Sequence, residues 1–435
     1  MFQTLKNAWK TPDIKKKILF TLLIVLLYQV GASVPVPFVS SDALGEYQRM
    51  MSGNILGFMN MLSGNALANA ALFALSVSPY ITASIVIQLL TVAIPALERM
   101  AKDGEEGKKK ISAITRIVTI VLAIITAYGY TMLLESYGVF NFTPGYEILC
   151  KIIVITCYVA GSALIMWLAE KINDHGIGNG ISIILFANIV ASGTAILGSL
   201  WGMITSKSYA LPVGILLAIA SIAITLGIVV LTVWFTNSER RIPIQYAKRV
   251  VGRKMYGGQA SNLPLKMNMA GVMPIIFANS IVAIPATIAT FFPKSGFWKG
   301  VNAIFGYTSP LYIVIFIILI FAFSYFYIMI SFNPVEVSNN IKNNGGAVPG
   351  IRPGKPTSDY IKKILNRVTF MGAIFLGVIA GLPLIINTIT SAFGINFSGI
   401  AFGGTSLLIV VGVVLETVRE IEAQLSMRNY KGFLD

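Results

Sequence analysis

Side chains that perform catalysis or bind metals are sparse in this sequence. The single histidine, His175, precedes a glycine-rich stretch from Gly176 to Gly180. Such a stretch can cradle a phosphate, but a dinucleotide site needs a β-strand before it, and no strand is predicted before Gly176. The two cysteines, Cys150 and Cys157, lie in one apolar segment, where thiols are usually inert. We therefore predict no enzyme, no cofactor and no metal site, and expect a helix to begin at the glycine-rich stretch.

The elements that carry these residues are long apolar segments. Of the 435 residues, 55% are hydrophobic and 12% are charged, with a mean hydropathy of +0.76, whereas soluble domains carry roughly 25% charged residues. A bilayer core of about 30 Å takes about 20 helical residues. Segments near this length predict an all-α membrane protein with ten spans, at Ile18–Val36, Ala71–Ala93, Ile111–Leu134, Ile148–Leu168, Gly180–Leu200, Leu211–Phe235, Met269–Phe292, Pro310–Phe332, Val368–Ile389 and Gly403–Ile421.

The positions of lysine and arginine give the orientation of these spans. If the N-terminus is cytoplasmic, 28 of the 33 Lys and Arg residues fall in cytoplasmic segments, as is usual in membrane proteins. Both ends are then cytoplasmic, in a multi-pass protein, and the net charge of +15 needs no nucleic acid to explain it. An alternative takes residues 1–36 as a cleaved signal peptide. That alternative leaves nine spans with the same loop orientation, so charge alone does not decide between them.

Two motifs recur five spans apart. Ser78–Ile81 in span 2 resembles Met273–Ile276 in span 7, and Gly178–Ile183 at the start of span 5 resembles Gly403–Leu408 at the start of span 10. Because five is odd, the two sets of spans have opposite orientation. Inverted repeats with Pro- or Gly-broken segments at matching places usually flank a transport path. We predict two inverted five-helix halves around a central pore.

A short apolar segment, Ile55–Gly64, precedes span 2 and is too short to cross a bilayer. We expect it to form a re-entrant or capping helix inside a protein-lined cavity. The alternative is an amphipathic helix on the outer membrane surface.

Charged residues are scarce inside the predicted spans, whereas ion-coupled transporters usually hold Asp, Glu, His or Arg at membrane depth. This scarcity favours a passive conduit or a scaffold. The competing classes are an inverted-repeat secondary transporter, a membrane scaffold or insertase without a continuous pore and, more remotely, a membrane enzyme.

The two longest cytoplasmic loops are basic. The loop between spans 6 and 7 carries Arg240, Arg241, Lys248 and Arg249, and the loop between spans 8 and 9 carries Arg352. Loops of roughly 30 residues in a compact chain are usually functional. Their charge suits an RNA surface or an acidic protein partner.

From about residue 5 to the C-terminus the chain resembles the SecY family, the channel subunits of the bacterial protein-export translocon. The motifs that carry this resemblance occur in the family's order and are Ala74–Ile85, Gly176–Ser182, Leu263–Asn268, Val348–Gly354 and Phe402–Ile409. The resemblance implies two halves, residues 1–200 and 201–435, clamped around an hourglass pore with a plug helix at about 56–68.

The resemblance also implies a pore ring and a plug. The ring would comprise Val77, Ile81, Ile183, Met273, Ile276 and Ile409. The plug would include Phe58, Met59, Met61, Leu62, Ser63 and Gly64. An aliphatic ring blocks ions because hydrophobic constrictions dewet, and it offers a crossing peptide no fixed hydrogen-bond partner. For each ring residue alone, ordinary helix packing is the alternative.

Two further sites follow from the resemblance. A lateral gate would lie between spans 2 and 3 and spans 7 and 8, with Gln88 and Asn279 tuning its closure or packing within one half. The basic loops, through Arg240, Arg241, Lys248, Arg249 and Arg352, would dock the ribosome or the SecA motor ATPase. The other implied partners are SecE, often SecG, signal peptides, secretory precursors and membrane lipid.

Overall fold

The computed structural model describes residues 2–51, 55–193, 198, 205, 211–246, 249–251, 254–256, 260–291, 296–305, 309–392 and 403–431. Over these ranges the chain is a bundle of helices, with short β-strands in two of the connecting loops. The strands are a local exception to the predicted all-α class.

The first 200 residues contain nine helices within the described ranges. They are α1 (Phe2–Lys10), α2 (Pro12–Ser33), α3 (Ser41–Met51), α4 (Ile55–Leu62), α5 (Ser78–Ala93), α6 (Pro95–Lys102), α7 (Gly104–Ser136), α8 (Glu147–His175) and α9 (Gly180–Ala191).

The rest of the chain adds helices and the strands. The helices are α10 (Leu211–Asn237), α11 (Met273–Phe291), α12 (Gly296–Phe305), α13 (Pro310–Ser331), α14 (Pro334–Asn343), α15 (Lys355–Ala392) and α16 (Gly403–Lys431). The strands are β1 (Glu239–Tyr246), β2 (Arg249–Val251), β3 (Lys254–Tyr256), β4 (Ala260–Lys266) and β5 (Gly346–Ala347).

The helices confirm a multi-pass membrane protein. Among the described residues, six helices are long and apolar enough to cross a bilayer, and they match predicted spans 1, 3, 4, 6, 8 and 9. A seventh candidate is the broken pair α5 and α6, which bends by 102°. The helices at spans 5 and 7 are apolar but shorter, at Gly180–Ala191 and Met273–Pro285. Ten spans remain a prediction.

Span 2 differs from its predicted bounds. The sequence predicts a span from Ala71, but the helix begins at Ser78 and turns precede it. Pro79 has no N–H and suits the first helical turn, while Ser76, with φ 51°, leaves the right-handed region. The break after Ala93 comes just before Pro95, which disfavours helical geometry in the residue that precedes it. Residues 72–77, at the start of predicted span 2, therefore lie outside the helix and form irregular turns.

The two recurring motifs occupy corresponding places in the fold. α5 and α11 begin at the Ser78–Ile81 and Met273–Ile276 motifs, each with proline in its first turn. α9 and α16 begin at Gly180 and Gly403, within the glycine motifs. The matched helices also pack pairwise, α5 on α11 and α9 on α16.

One large apolar cluster joins helices from both parts of the chain. Tyr28 and Ile24 of α2 are buried in it, together with residues of α9, α11, α13 and α16. The opposite faces of the same helices carry exposed apolar residues such as Leu26 on α2 and Val230 on α10. Apolar residues on both faces suit helices that contact protein on one side and lipid on the other.

Candidate pore and gate

The six predicted ring residues come together in the fold. Five of them are buried in the large apolar cluster, and Met273 packs against it. All lie at the starts of four helices: Val77 and Ile81 at α5, Ile183 at α9, Met273 and Ile276 at α11, and Ile409 at α16. The matched motifs thus bring four helix starts to one place, as the inverted-repeat pattern predicts.

A cavity of about 240 Å³ lies beside these helix starts and has mainly apolar walls. Ile81, Ile276 and Ile409 of the predicted ring line it, and so does Leu185 of α9, which sequence reasoning missed. The other three ring residues, Val77, Ile183 and Met273, are not among the lining residues. A Cβ on Gly178 would lie 2.9 Å from Cδ1 of Ile183, so this side chain points toward the loop before α9.

Helical spacing of aliphatic residues gives only a partial signal for Leu185, because α9 is apolar on every face. Val77 and Ile81 are four residues apart and share one helical face. On α9 the same spacing joins Ile181, which packs against the large apolar cluster, and Leu185, which is buried in it.

The short apolar segment is a helix inside the protein, as expected. α4 packs against α9, and Met61 is buried in the large apolar cluster. Met59 and Leu62 line the cavity. Ser63 and Gly64, at the end of the helix, are buried as well. This burial favours a helix inside the protein over the alternative of a helix on the membrane surface. The side chain of Phe58 lies outside the described residues.

The two candidate gate residues have different surroundings. Gln88 Nε2 donates to Ser84 Oγ at 3.3 Å within the same helix, which fits its alternative role inside one half. Asn279 of α11 is 8% exposed and lines the cavity. Its Nδ2 has no hydrogen-bond partner among the described residues. α11 packs against both α5 and α7, and we call this contact the seam.

The two basic loops form one structure. β1 pairs with β4 over seven positions, and Gln245 and Tyr246 of β1 pair with β5. Ile242 and Ile244 from β1 are buried with Ile361 of α15. We call β1, β4, β5 and the turn 348–354 the platform.

The predicted docking residues lie on or near this platform. Arg240, Arg241 and Arg352 are exposed. Arg241 is paired with Glu239, at 2.6 Å between guanidinium and carboxylate. Arg249 lies in β2, and nothing is described of its side chain. Lys248 lies outside the described residues.

The end of α10, next to the platform, is hydrogen-bonded to α16. Arg419 of α16 donates to the carbonyl oxygen of Thr236 at 3.1 Å and to Asn237 Oδ1 at 2.9 Å, at the end of α10. Partial burial lowers the pKa of Lys266 in β4, and the nearby Arg419 lowers it further.

The glycine-rich stretch is a helix start and shows no sign of a nucleotide site. Asn179 accepts hydrogen bonds from the backbone of Ile181 and Ser182, and so caps α9. His175 is exposed, with its ring 5.9 Å from that of Phe20. Within the described ranges, no three His, Cys, Asp or Glu side chains come together as a metal site would require.

Comparison with known proteins gives one consistent family. The SecY family model matches residues 71–418. The protein translocase subunits SecY of Streptomyces galbus and of Bacillus subtilis are 44% and 41% identical, over the whole of this chain and of each relative. A solved protein-conducting channel superposes with a TM-score of 0.67 at 19% identity, covering 96% of each chain. Sec61 in a canine ribosome–channel complex superposes with a TM-score of 0.63 at 18% identity, also covering 96% of each. The chain belongs to the SecY family.

Proposed function

We propose that this chain is the protein-conducting channel of a Sec translocase, which moves unfolded secretory polypeptides across the cytoplasmic membrane. The observation that carries the proposal is the convergence of four helix starts, lined by aliphatic side chains from both parts of the chain. Relatives named protein translocase subunit SecY support it over their full length. We propose ten spans in two inverted halves, with both termini cytoplasmic.

In this proposal the aliphatic ring seals the idle channel. The ring comprises Val77, Ile81, Ile276, Met273 and Ile409, with Leu185 added beside or in place of Ile183. Such a constriction excludes water and ions by dewetting. It presents few polar groups, so peptides of any sequence can pass. The segment at about 56–68, which includes most of α4, is the plug that fills the space beside the ring.

The seam is the proposed lateral gate. Opening α11 away from α5 and α7 would expose the cavity to lipid, because Ile125 of α7 and Ile284 of α11 line it and are also exposed on the bundle. An apolar signal helix can leave through this opening. This explains why the cavity walls are apolar, with polar groups such as Asn279 at only a few places.

The energy for transport comes from partners in this proposal, because a channel with no catalytic site has none of its own. The exposed cations of the platform dock either the ribosome or the SecA motor. One structural neighbour is a ribosome–channel complex, which supports the ribosome. SecE, SecG, signal peptides, secretory precursors and lipid complete the proposed set of partners.

The test places a photo-crosslinking residue at Leu185 and stalls a secretory precursor halfway through export. We expect a strong crosslink to the precursor that requires the motor or the ribosome. The same residue at Ile183 should crosslink more weakly, because that side chain points toward Gly178. A precursor that is exported efficiently without a crosslink at either position would overturn the pore assignment and favour the scaffold class.

A further inference from the structure

The end of α4 rests on a buried polar cluster within apolar surroundings. Asn188 of α9 and Tyr28 of α2 are fully buried, and Ser63 and Ser76, which flank the turns between α4 and α5, are at most 5% exposed. Spans 1 and 5 and the segment 55–77 therefore meet at polar atoms, although the residues around them belong to the large apolar cluster.

The hydrogen bonds of this cluster centre on Asn188. Its Nδ2 donates to the carbonyl oxygen of Leu62 at 2.7 Å and to Tyr28 Oη at 2.9 Å. Tyr28 Oη in turn donates to the carbonyl oxygen of Ser63 at 3.4 Å. Ser76 Oγ donates to the same Leu62 oxygen at 3.3 Å.

One turn further along α9, Ser192 Oγ donates to the carbonyl oxygen of Met61 at 3.3 Å. Side chains thus reach three successive carbonyls, at residues 61 to 63. The last carbonyls of a helix have no intrahelical partner, and a buried polar group without a partner is costly. The Met61 and Ser63 carbonyls also accept from the backbone N–H groups of Gly64 and Ala66. Of the three, the Leu62 carbonyl is the one whose described hydrogen bonds come from side chains, those of Asn188 and Ser76.

The chain leaves room for this contact at Gly64. Gly64 has φ +66°, and a Cβ added there would lie 2.9 Å from Asn188 Oδ1. Any larger residue would have to displace either the segment or the amide. The backbone of the segment thus approaches α9 closely at the point where Asn188 bonds to it.

We propose that Asn188 is a latch that sets how firmly the plug, residues 56–68, is held in the idle channel, an inference that rests on the proposed function as a plugged pore. The bonds exist in the dry, closed arrangement. When water enters the pore, it hydrogen-bonds to the Asn188 amide and to the carbonyls. Opening therefore breaks several modest hydrogen bonds at once, but no polar group is left without a partner. The latch keeps the idle channel closed and still allows the plug to leave.

The test uses vesicles that contain the full chain with its partner subunits. Ion leak is measured without a precursor, and precursor transport is measured with the motor. Asn188→Leu removes the Nδ2 donor at similar volume, together with an Oδ1 atom that has no partner among the described residues. Because the lost bonds from Nδ2 outweigh the relief of that one oxygen, we expect the idle leak to rise about 10-fold, the factor that corresponds to about 1.4 kcal/mol. Transport should persist. The control is Ser162→Ala, which removes a buried hydroxyl that has no partner among the described residues and should leave the leak unchanged.

A second variant approaches the latch from the plug, in case Asn188→Leu folds poorly. Gly64→Ala should also raise the idle leak. Its matched control is Gly138→Ala, because Gly138 has φ +68° but no atom within 4 Å of an added Cβ. Idle leak at the wild-type level in Asn188→Leu and Gly64→Ala, with transport intact, would overturn the latch alone. Failure of the wild-type chain to transport any precursor would overturn the proposed function instead.

Discussion

Gln245 of β1 pairs with Ala347 of β5, so the loop before α11 and the loop between α14 and α15 are parts of one structure. Ile244 and Val348, on either side of this pairing, are buried in the same small apolar cluster. Residues about 100 positions apart in sequence are thereby held in fixed relation. A partner that binds one loop therefore contacts a surface that both loops build.

Arg352 gives the clearest test of this surface. It is exposed and belongs to the turn of the platform, and no ion pair is described for it. We expect Arg352→Glu to weaken binding of an anionic partner by roughly 5- to 30-fold at low salt, because exposed charge pairs are each worth up to about 1 kcal/mol and reversal adds repulsion. Binding of ribosomes or of the motor to vesicles would measure this effect.

The control for Arg352→Glu is Lys109→Glu. It makes the same change in charge at an exposed residue near the start of α7, away from the platform. Equal losses in the two variants would mean that total charge, and not the platform, governs binding. The difference between the variants should shrink as salt rises, because exposed charges are screened.

Leu185 and Ile183 test the lining of the pore. Leu185 lines the cavity, whereas Ile183 points toward Gly178. We expect Leu185→Asn to wet the constriction and to raise the ion leak of idle vesicles at least several-fold, since a polar side chain opposes dewetting. Ile183→Asn should cost stability without a comparable leak. A larger leak from Ile183→Asn than from Leu185→Asn would restore the predicted ring.

Much of this fold was predictable because membrane spans and proline positions leave strong local signals. The six long apolar helices fall where runs of apolar residues were found, and α5 and α11 begin at their Pro-containing motifs. The helix α4 was also expected, because the apolar segment Ile55–Gly64 that contains it is too short to cross a bilayer. The ring residues were predicted from the resemblance to the SecY family, and the structure brings them together at the starts of four helices.

The remaining features depend on helix rotation and on long-range contacts. The rotation of α9 about its axis decides whether Ile183 or Leu185 faces the cavity. Because α9 has apolar residues on every face, its hydrophobic pattern does not reveal that rotation. The role of Asn188 has no local signal in the sequence, because the carbonyl to which it donates belongs to Leu62, 126 positions earlier. The pairing of β1 with β5 similarly joins short strands that carry no local signal.

Gly161 of α8 tests how tightly the segment 55–77 is packed. A Cβ there would overlap the carbonyl oxygen of Leu72, which is backbone and cannot move aside easily. The N–H of Leu72 donates to the carbonyl oxygen of Val34 at 2.8 Å, which holds this turn residue in place. We expect Gly161→Ala to destabilise the folded chain by about 1–3 kcal/mol through overpacking, measured by thermal unfolding in detergent.

The matched control for Gly161 is Gly227→Ala in α10, where an added Cβ meets nothing within 4 Å. Alanine is a better helix former than glycine by roughly 1 kcal/mol, so this variant should be neutral or stabilising. Gly161→Ala with the same unfolding temperature as Gly227→Ala would show that the segment yields to the added methyl group.

Asn279 tests the seam. Its buried Nδ2 has no partner among the described residues, and a buried unpaired amide costs about 1–3 kcal/mol. This cost is present while the seam is closed and is relieved when opening lets water or a passing helix bond to the amide. The amide therefore lowers the free energy needed for opening. Asn279→Leu, which keeps the volume and removes the polar group, should hold the seam closed and slow the entry of signal helices about 10-fold.

The neighbour of Asn279 provides the control. Ser280 also lines the cavity, but its hydroxyl already donates to the carbonyl oxygen of Ile276 at 2.9 Å, so Ser280→Ala should leave the seam unchanged. The measurement is the rate at which precursors with weakly apolar signals insert. Such signals contribute least to opening the seam, so their rate is the most sensitive to the two substitutions. Faster insertion by Asn279→Leu than by the wild-type chain would mean that the amide stabilises the closed seam, and that it has a partner there when the channel is assembled with its other subunits.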